Sequence, residues 1–366
     1  MSERSERSIT LSLSTLLTVA VAIVLALLAW QLRWLVVVLM VAVVIAAALA
    51  PAIDRAVALR IPRWLAVILI YLLLISGFVG LGLLIGPTVF EQLQRLISKL
   101  PTYLDKVEVI AQDWIARLGL TDPMVLQELD KVLDFQSLTN WGFRTSQELL
   151  VRSYSLTRGV LGSGLSVLLA LLLSGYLLAG SERIVTGLVS LVPAPWDGRL
   201  YAQVGLVGQR MGNYIQGRIL VSAILAVIIS TGLRLLGLEE VALALGAIAG
   251  VTNLIPFLGP VLGAVPALIV AIAQGGWLFA WVLLLFVIIQ NLETYLLDPL
   301  LVGNTVKVLP IYQLLAVLGG TQVLGIVGAI IVPPWLAGGA VLLENLYLQP
   351  KRSRASAAGE AAWRQT

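Results

Sequence analysis

Long apolar stretches, separated by short polar ones, recur along most of the chain. Six of these stretches reach the length of about 20 residues that a helix needs to cross a bilayer. They occupy roughly residues 11–30, 34–52, 64–86, 159–179, 219–236 and 276–297. The pattern predicts an all-α polytopic membrane protein. Two further stretches, each longer than one crossing, raise the expected number of membrane segments to about eight.

The two longer stretches are interrupted near their middle by residues that break helices. Residues 241–273 run apolar for 33 positions, which would make a straight helix of about 50 Å against a hydrocarbon core of about 30 Å. Residues 308–346 cover 39 positions and are likewise too long for one straight crossing. Each stretch is therefore predicted to be either a helical hairpin or a discontinuous span. Loop charges are compatible with both arrangements.

Helix breaks inside a membrane are typical of binding sites. Non-helical backbone is tolerated there only where protein or water satisfies the freed backbone groups, and transporters bind small polar solutes and ions at such breaks. The alternative is that glycine serves close helix packing and proline makes a kink. The predicted substrate-binding residues are Asn253, Pro256, Gly259, Pro260, Gly263, Gly319, Gly320, Thr321 and Gln322. The predicted hinges are Pro266, Pro299, Gly303, Pro310 and Pro333.

The segment QNLETYLLDP, between the two broken stretches, carries acidic residues next to an apolar run. On an α-helix Glu293 shares a side with Gln290, whereas Asp298 shares a side with Asn291. A carboxylate at mid-bilayer costs about 3 kcal/mol or more, so Glu293 is expected to face the protein interior or a wet cavity. Glu293, Gln290 and Asn291 form a candidate site for coupling to protons or sodium. The alternative is a hydrogen-bonded structural glutamate, and Asp298 is interpreted as structural.

Two polar segments interrupt the membrane pattern. Residues 87–158 are predicted to be a helical extramembrane insertion, used either in oligomer contacts or as a self-packed bundle, with Pro101 kinking or restarting its first helix and a second helix beginning at Asp122. Residues 199–218 are predicted to be an interfacial amphipathic helix. The apolar seam of the insertion comprises Val89, Leu93, Leu96, Leu100, Tyr103, Val107, Ile110 and Trp114.

The distribution of basic residues predicts the orientation in the membrane. A cluster of three arginines in the short loop at 55–63 places that loop, and with it the N-terminus, in the cytoplasm. The insertion then lies outside, whereas the segment carrying Arg183, Arg199, Arg210 and Arg218 lies inside. The tail over 347–366 is predicted to be cytoplasmic and disordered. The predicted units are 1–86, 87–158, 159–198, 199–218, 219–346 and 347–366.

Composition narrows the possible functions. Hydrophobic residues make up 59% of the 366 residues and charged residues 12%, more apolar surface than a soluble fold of this length can bury. The chain has no cysteine and no histidine, which removes disulfides, thiolate nucleophiles and imidazole metal sites. It also has no phosphate-binding GxxxxGK[ST] loop. We therefore expect no enzyme activity, cofactor, metal or nucleic-acid partner. A channel or a membrane scaffold remains the alternative to a transporter.

Five segments resemble those of one bacterial family. They are PAIDRAVALRIPR (51–63), YIQGRIL (214–220), NLIPFLGPVLGAVP (253–266), LETYLLDPLLVG (292–303) and LGGTQVLGIVGAIIVP (318–333). In this ordered set the chain resembles the autoinducer-2 exporter family from about residue 15 to residue 346.

The resemblance implies a fold and a mode of transport. It implies about eight membrane segments in the bacterial plasma (inner) membrane and a homo-oligomer, a pentamer. It also implies two helical hairpins that bind a small polar solute and move by an elevator-like mechanism. Some members of the family are described as exporters of autoinducer-2, and others resemble antiporters that exchange sodium or lithium for protons. The expected partners are the lipid bilayer, the solute, a proton or sodium ion, and further copies of the chain.

Overall fold

The computed structural model describes residues 31–117, 165–302 and 309–352, and every regular element within them is helical. Five of these helices are long and apolar enough to cross a membrane, or six if a bent pair is counted as one span. The predicted all-α polytopic class is confirmed. The first predicted span, the insertion helix from Asp122, Gly303 and the tail over 353–366 lie outside the described residues.

Four helices form the N-terminal part of the structure. Helix α1 is Arg33–Ala58, α2 is Arg63–Arg117, α3 is Leu165–Ala179 and α4 is Ser181–Val189. Helices α3 and α4 meet at an angle of 87°. Ile53, Val67 and Leu178 pack together where α1, α2 and α3 meet, and Arg63 Nε donates a hydrogen bond of 2.7 Å to the Leu178 carbonyl oxygen.

Helix α2 joins the third span to the described part of the insertion without a break. It runs for 55 residues with Pro101 inside it, so the predicted restart at Pro101 is wrong. A proline removes only one backbone hydrogen bond, and the buried side chains of Leu96 and Tyr103 hold the helix on both sides of it. Both side chains pack into the main core of the same chain. Over these residues the insertion packs against residues 241–273 rather than against itself, and its use in oligomer contacts stays a prediction.

Helix α5, Trp196–Leu235, is the element against which most of the others pack. Its 40 residues give a length of about 60 Å. The segment 199–218, predicted as a separate interfacial helix, is continuous with the span from 219. The sequence predicted two elements because the residues before 219 form an amphipathic pattern, whereas those after it form an apolar span. In the structure both halves are covered, by α1 at Gly212 and by the C-terminal helices along the second half.

Residues 241–273 form an antiparallel helical hairpin, here called hairpin 1. Its arms are α6, Ala242–Thr252, and α7, Leu258–Gln274. A side chain at Gly263 would lie 2.7 Å from the Ala249 Cα, and one at Gly259 would overlap the Thr252 carbonyl oxygen. The arms therefore touch backbone to backbone. The turn passes through Phe257 with a φ of 64°, a conformation that costs a non-glycine residue about 1–3 kcal/mol.

The remaining elements lead into a second hairpin. Helix α8, Leu278–Leu292, continues directly into a π-helix, π1, Glu293–Val302. Hairpin 2 is α9, Pro310–Leu343, which reverses direction at Gly325, where φ is 64° and ψ is −149°. Gly320 and Gly328 lie against each other across this turn. Both long apolar stretches are thus folded-back hairpins, the first of the two arrangements that the sequence left open.

The chain continues as a helix beyond hairpin 2. A short π-helix, π2, covers Glu344–Leu348, and helical backbone extends to Arg352. Residues 347–352 were predicted to be disordered, and that part of the prediction is wrong. Asn345 Nδ2 donates a hydrogen bond of 2.6 Å to Gln203 Oε1 on α5. This contact holds the helix to the protein although its sequence is polar.

Gln92 on α2 caps the first turn of hairpin 1. Its Oε1 accepts hydrogen bonds from the backbone N–H groups of Leu243, at 2.8 Å, and Ala244, at 3.1 Å. These N–H groups have no partner within α6. We expect Gln92→Ala to lower the free energy of unfolding by about 0.5–2 kcal/mol, the usual effect of losing a helix cap. Thermal unfolding in detergent measures this, with the exposed Gln94→Ala as control. Equal melting temperatures for the two variants would contradict the capping role.

Candidate functional site

The candidate site lies where π1 meets the middle of α5. A side chain at Gly217 would overlap the carbonyl oxygen of Leu301, so the glycine allows the backbones of α5 and π1 to touch. The next residue, Arg218, then points into the space between α5, π1 and the turn of hairpin 1. Three elements that are distant in the sequence therefore meet at one side chain.

Arg218 contacts an oxygen atom on each of three polar residues. Its Nη1 lies 3.0 Å from Glu293 Oε1 and 3.5 Å from Asp298 Oδ1, and its Nη2 lies 3.3 Å from Asn253 Oδ1. Arg218, Glu293 and Asn253 are only 5%, 4% and 2% exposed. Opposite charges at this depth compensate each other's loss of hydration, and removing one partner leaves the other unpaired. We call these four residues the Arg218 cluster.

The π-helix brings both carboxylates to Arg218. In an α-helix the side chains four positions apart lie on one face, because hydrogen bonds join residues i and i+4. In a π-helix the hydrogen bonds join residues i and i+5, so that side chains five positions apart share a face. Glu293 and Asp298 have this separation and both lie in π1. Helical-wheel reasoning on an α-helix placed them on different sides, and that placement is wrong, whereas the structural role of Asp298 stays a prediction.

Three buried polar atoms around the cluster have no protein partner among the described residues. They are Arg218 Nε, Asn253 Nδ2 and Ser222 Oγ. Ser222 lies one helical turn after Arg218, and hairpin 1 covers it, since a side chain at Gly250 would lie 3.0 Å from the Ser222 carbonyl oxygen. A buried polar group without a partner costs about 1–3 kcal/mol. Each of these three atoms can donate a hydrogen bond to an oxygen acceptor.

A further polar contact connects hairpin 2 to the same helix. Gln313 Nε2, in the first arm of hairpin 2, lies 3.1 Å from the hydroxyl of Tyr214, which precedes Arg218 by one turn. Tyr214 is 3% exposed. Helix α5 therefore connects the turn of hairpin 1 and the beginning of hairpin 2 through side chains on adjacent turns.

Comparison with known proteins places the chain in a family. Residues 17–347 match the family described as "AI-2E family transporter". The chain belongs to this family. The AI-2E relatives include "Putative transport protein YueF" of Bacillus subtilis (strain 168), 27% identical over 76% of this chain and 76% of the relative. They also include "Putative transport protein YrrI" of the same organism, 31% identical over 75% of this chain and 76% of the relative. "Putative transport protein MT0215" of Mycobacterium tuberculosis is 26% identical over 73% of this chain and 71% of the relative.

Membership in the AI-2E family makes the chain a multi-pass bacterial membrane protein with a transport function. The matched range contains both hairpins, π1 and the Arg218 cluster. The site described above therefore belongs to the part of the chain that defines the family.

The structure brings only some of the predicted site residues together. Asn253 and Glu293 join the Arg218 cluster. Gln290 and Asn291 are exposed at the end of α8, where Gln290 bonds to Thr294 in π1 and Asn291 bonds to the Val287 carbonyl oxygen. Pro256 is buried and Pro260 half-buried near the turn of hairpin 1. The Arg218 cluster thus contains one predicted substrate-binding residue and one predicted coupling residue, and none of the predicted hinges.

The glycines of the predicted binding segments take part in packing. Gly259, Gly263 and Gly320 lie in the contacts between hairpin arms. Gly319, Thr321 and Gln322 are exposed near the turn of hairpin 2, and Thr321 bonds to the Val317 carbonyl oxygen. Their role in binding stays a prediction. Of the predicted hinges, Pro266 lies inside α7, Pro299 inside π1, Pro310 at the start of α9 and Pro333 in the second arm of α9.

Sequence reasoning missed Arg218, Ser222 and Asp298. Arg218 was grouped with Arg183, Arg199 and Arg210 as a basic cytoplasmic residue, yet it is buried and paired with carboxylates. One signal was available: Arg218 and Ser222 share a helix face at the start of an apolar span. A charged residue at such a position usually faces the protein interior.

Proposed function

We propose that this protein is a secondary transporter that binds a small polar solute, such as autoinducer-2, at the Arg218 cluster. The observation that supports this is a group of three buried donors that have no partner in the described part of the chain: Arg218 Nε, Asn253 Nδ2 and Ser222 Oγ. A solute with several oxygen acceptors would satisfy these three donors. Such donors discriminate strongly between solutes, because a solute that lacks oxygen acceptors leaves the buried donors unpaired.

The position of the cluster supports transport by movement of the hairpins. Asn253 lies in the turn of hairpin 1, whereas its partner Arg218 lies on α5. A displacement of hairpin 1 relative to α5 would therefore separate these residues and open the site. Hairpin 1 shares its core with the extramembrane part of α2, through Leu96 and Tyr103. In this elevator-like proposal hairpin 1 and that part of α2 move as one body.

Orientation and assembly are part of the same proposal. The N-terminus and the C-terminal tail lie in the cytoplasm, and the insertion lies outside, as the arginines at 55–63 indicate. The membrane is the bacterial plasma membrane. The chain assembles as a homo-oligomer, a pentamer by its family resemblance. The span part of α2 has no buried residue in its most apolar window, which leaves a face for lipid or for a neighbouring copy.

Exchange of sodium or lithium for protons is a second candidate function. It is favoured by the presence of two carboxylates, Glu293 and Asp298, in one cluster beside a hairpin turn. Carboxylates in such positions serve as proton or cation carriers in membrane proteins.

A channel would share the site but would conduct without saturation, so that the concentration dependence of flux distinguishes a carrier from a pore.

Ser222→Ala tests whether the unpaired donors bind solute. Removing a buried hydroxyl that has no partner should leave the stability unchanged or slightly raised. If the hydroxyl binds solute, we expect KM for flux of autoinducer-2 into proteoliposomes to rise about 5- to 30-fold, the effect of about 1–2 kcal/mol. Thr231→Ala, on an exposed position of the same helix, is the control. Unchanged KM and maximal flux in a stably folded Ser222→Ala protein would argue against binding of this solute at the cluster.

A further inference from the structure

The oxygen atoms around Arg218 are of the kinds that small cations take as ligands. Two carboxylate oxygens and one amide oxygen, from Glu293, Asp298 and Asn253, lie 3.0–3.5 Å from the guanidinium nitrogens. Carboxylate and carbonyl oxygens are the ligands that hard cations take in proteins. In this protein the positive charge at their centre belongs to a side chain.

The contacts are not those of a site shaped for a guanidinium group. Arginine pairs with carboxylates best through two parallel hydrogen bonds, one from each of two nitrogens. Here Nη1 alone contacts both Glu293 and Asp298, and Nε has no partner within 31–117, 165–302 and 309–352. Each oxygen is contacted singly, as around a spherical ion. The Arg218 guanidinium supplies the positive charge but does not use all of its hydrogen-bond donors.

The cluster also has an open edge. The Asp298 side chain is 41% exposed, whereas those of Glu293 and Arg218 are buried. A hydrated ion could therefore reach the oxygens past Asp298 without passing through the packed core. Because Arg218 contributes one positive charge, a monovalent cation would restore the same net charge if the arginine were absent.

We propose that Arg218 is a tethered cation that occupies a monovalent cation site formed by Glu293, Asp298 and Asn253. The arginine makes this site independent of Na⁺ and Li⁺. Replacing it with a neutral side chain opens the site to these ions. Arg218 is thus a specificity-determining residue: it separates solute transport from cation exchange on the same fold. The inference rests on the site proposed above but not on the identity of the solute.

The test is a cation titration of purified full-length protein in detergent. Na⁺ or Li⁺ replaces N-methyl-D-glucamine at constant ionic strength while the melting temperature is followed. We expect a saturable rise for Arg218→Gln and no cation-specific change for the wild type. A cation at 100 times its Kd shifts the folding equilibrium about a hundredfold. Absence of any Na⁺ or Li⁺ response in folded Arg218→Gln would overturn the proposal, as would a response of the wild type.

Two variants serve as matched controls. Arg218→Lys keeps the positive charge and should stay insensitive to both ions. Arg218→Gln/Glu293→Gln removes a ligand together with the arginine and should lose the response. If Arg218→Gln needs an ion to fold, protein purified in NaCl should lose its monodisperse elution when Na⁺ is replaced by N-methyl-D-glucamine. Aggregation of Arg218→Gln in every salt would contradict the proposal, because a filled site should replace the guanidinium.

The cation titration and the solute assay test separate claims, so a negative result in one does not decide the other. The titration measures ion binding without solute, so its outcome is unaffected if autoinducer-2 is not transported. Conversely, an effect of Ser222→Ala on solute flux would support the solute site even if Arg218→Gln bound no ion. For a solute that the wild type carries, flux should be equal with inward gradients of Na⁺, K⁺ or N-methyl-D-glucamine. A requirement for Na⁺ would show that Arg218 does not occupy the coupling site.

Discussion

Replacement of Arg218 by methionine, in buffer free of Na⁺ and Li⁺, is expected to lower the free energy of unfolding by about 3–5 kcal/mol. Glu293 is 4% exposed and has its closest charged partner in Arg218, at 3.0 Å. Without the guanidinium the carboxylate stays buried with no compensating charge. Unfolding in mixed micelles, followed by tryptophan fluorescence, measures the change. Arg183→Met, on an exposed position of α4, should change the same quantity by less than about 0.5 kcal/mol.

A double variant separates the unpaired charge from other effects of the substitution. Arg218→Met/Glu293→Leu removes both buried charges, and a buried ion pair can often be replaced by apolar side chains without loss of stability. We therefore expect the double variant to be about as stable as the wild type and clearly more stable than Arg218→Met. Additive losses in the double variant would show that the two side chains do not form an energetically coupled pair. Solute transport should be lost in both variants, because each lacks the Arg218 donor.

Gly320→Ala is expected to have the second large effect, by preventing hairpin 2 from closing. A methyl group at Gly320 would lie against the Gly328 carbonyl oxygen, at 2.5 Å, and backbone atoms cannot give way as a flexible side chain can. Overpacking of this kind costs about 1–3 kcal/mol, and more where the backbone must move. The melting temperature should fall, and the yield of protein inserted in the membrane should fall with it.

The neighbouring Gly319 provides the matched control for this prediction. A methyl group there meets nothing within 4 Å, and the position is helical and exposed. Gly319→Ala should therefore leave stability unchanged or raise it by up to about 1 kcal/mol, because alanine is the better helix former. Similar losses at both positions would contradict the close crossing of the two arms. Loss of transport in a stable Gly319→Ala protein would instead support the predicted role of this segment in binding.

The sequence predicted the membrane segments and both interrupted stretches, because hydrophobic length and helix breakers are local properties. It also selected Asn253 and Glu293, each of which is costly to place in lipid. Its errors have a common cause. Pro101 does not end α2, because packing against hairpin 1 holds both halves of the helix. Residues 347–352 are helical and continue a helix whose preceding turn is held to α5 through Asn345, a contact that the local sequence does not reveal.

The sequence by itself determined that this protein lies in a membrane, that it is helical, and that two of its apolar stretches cannot be straight. Only the tertiary structure decided that each stretch folds back on itself and that Arg218 pairs with Glu293, 75 positions away. It also decided that Asp298 joins them, since a π-helix shifts the register that an α-helix would impose. Hydrophobic pattern depends on neighbours along the chain, whereas charge pairing depends on which backbones approach closely in space.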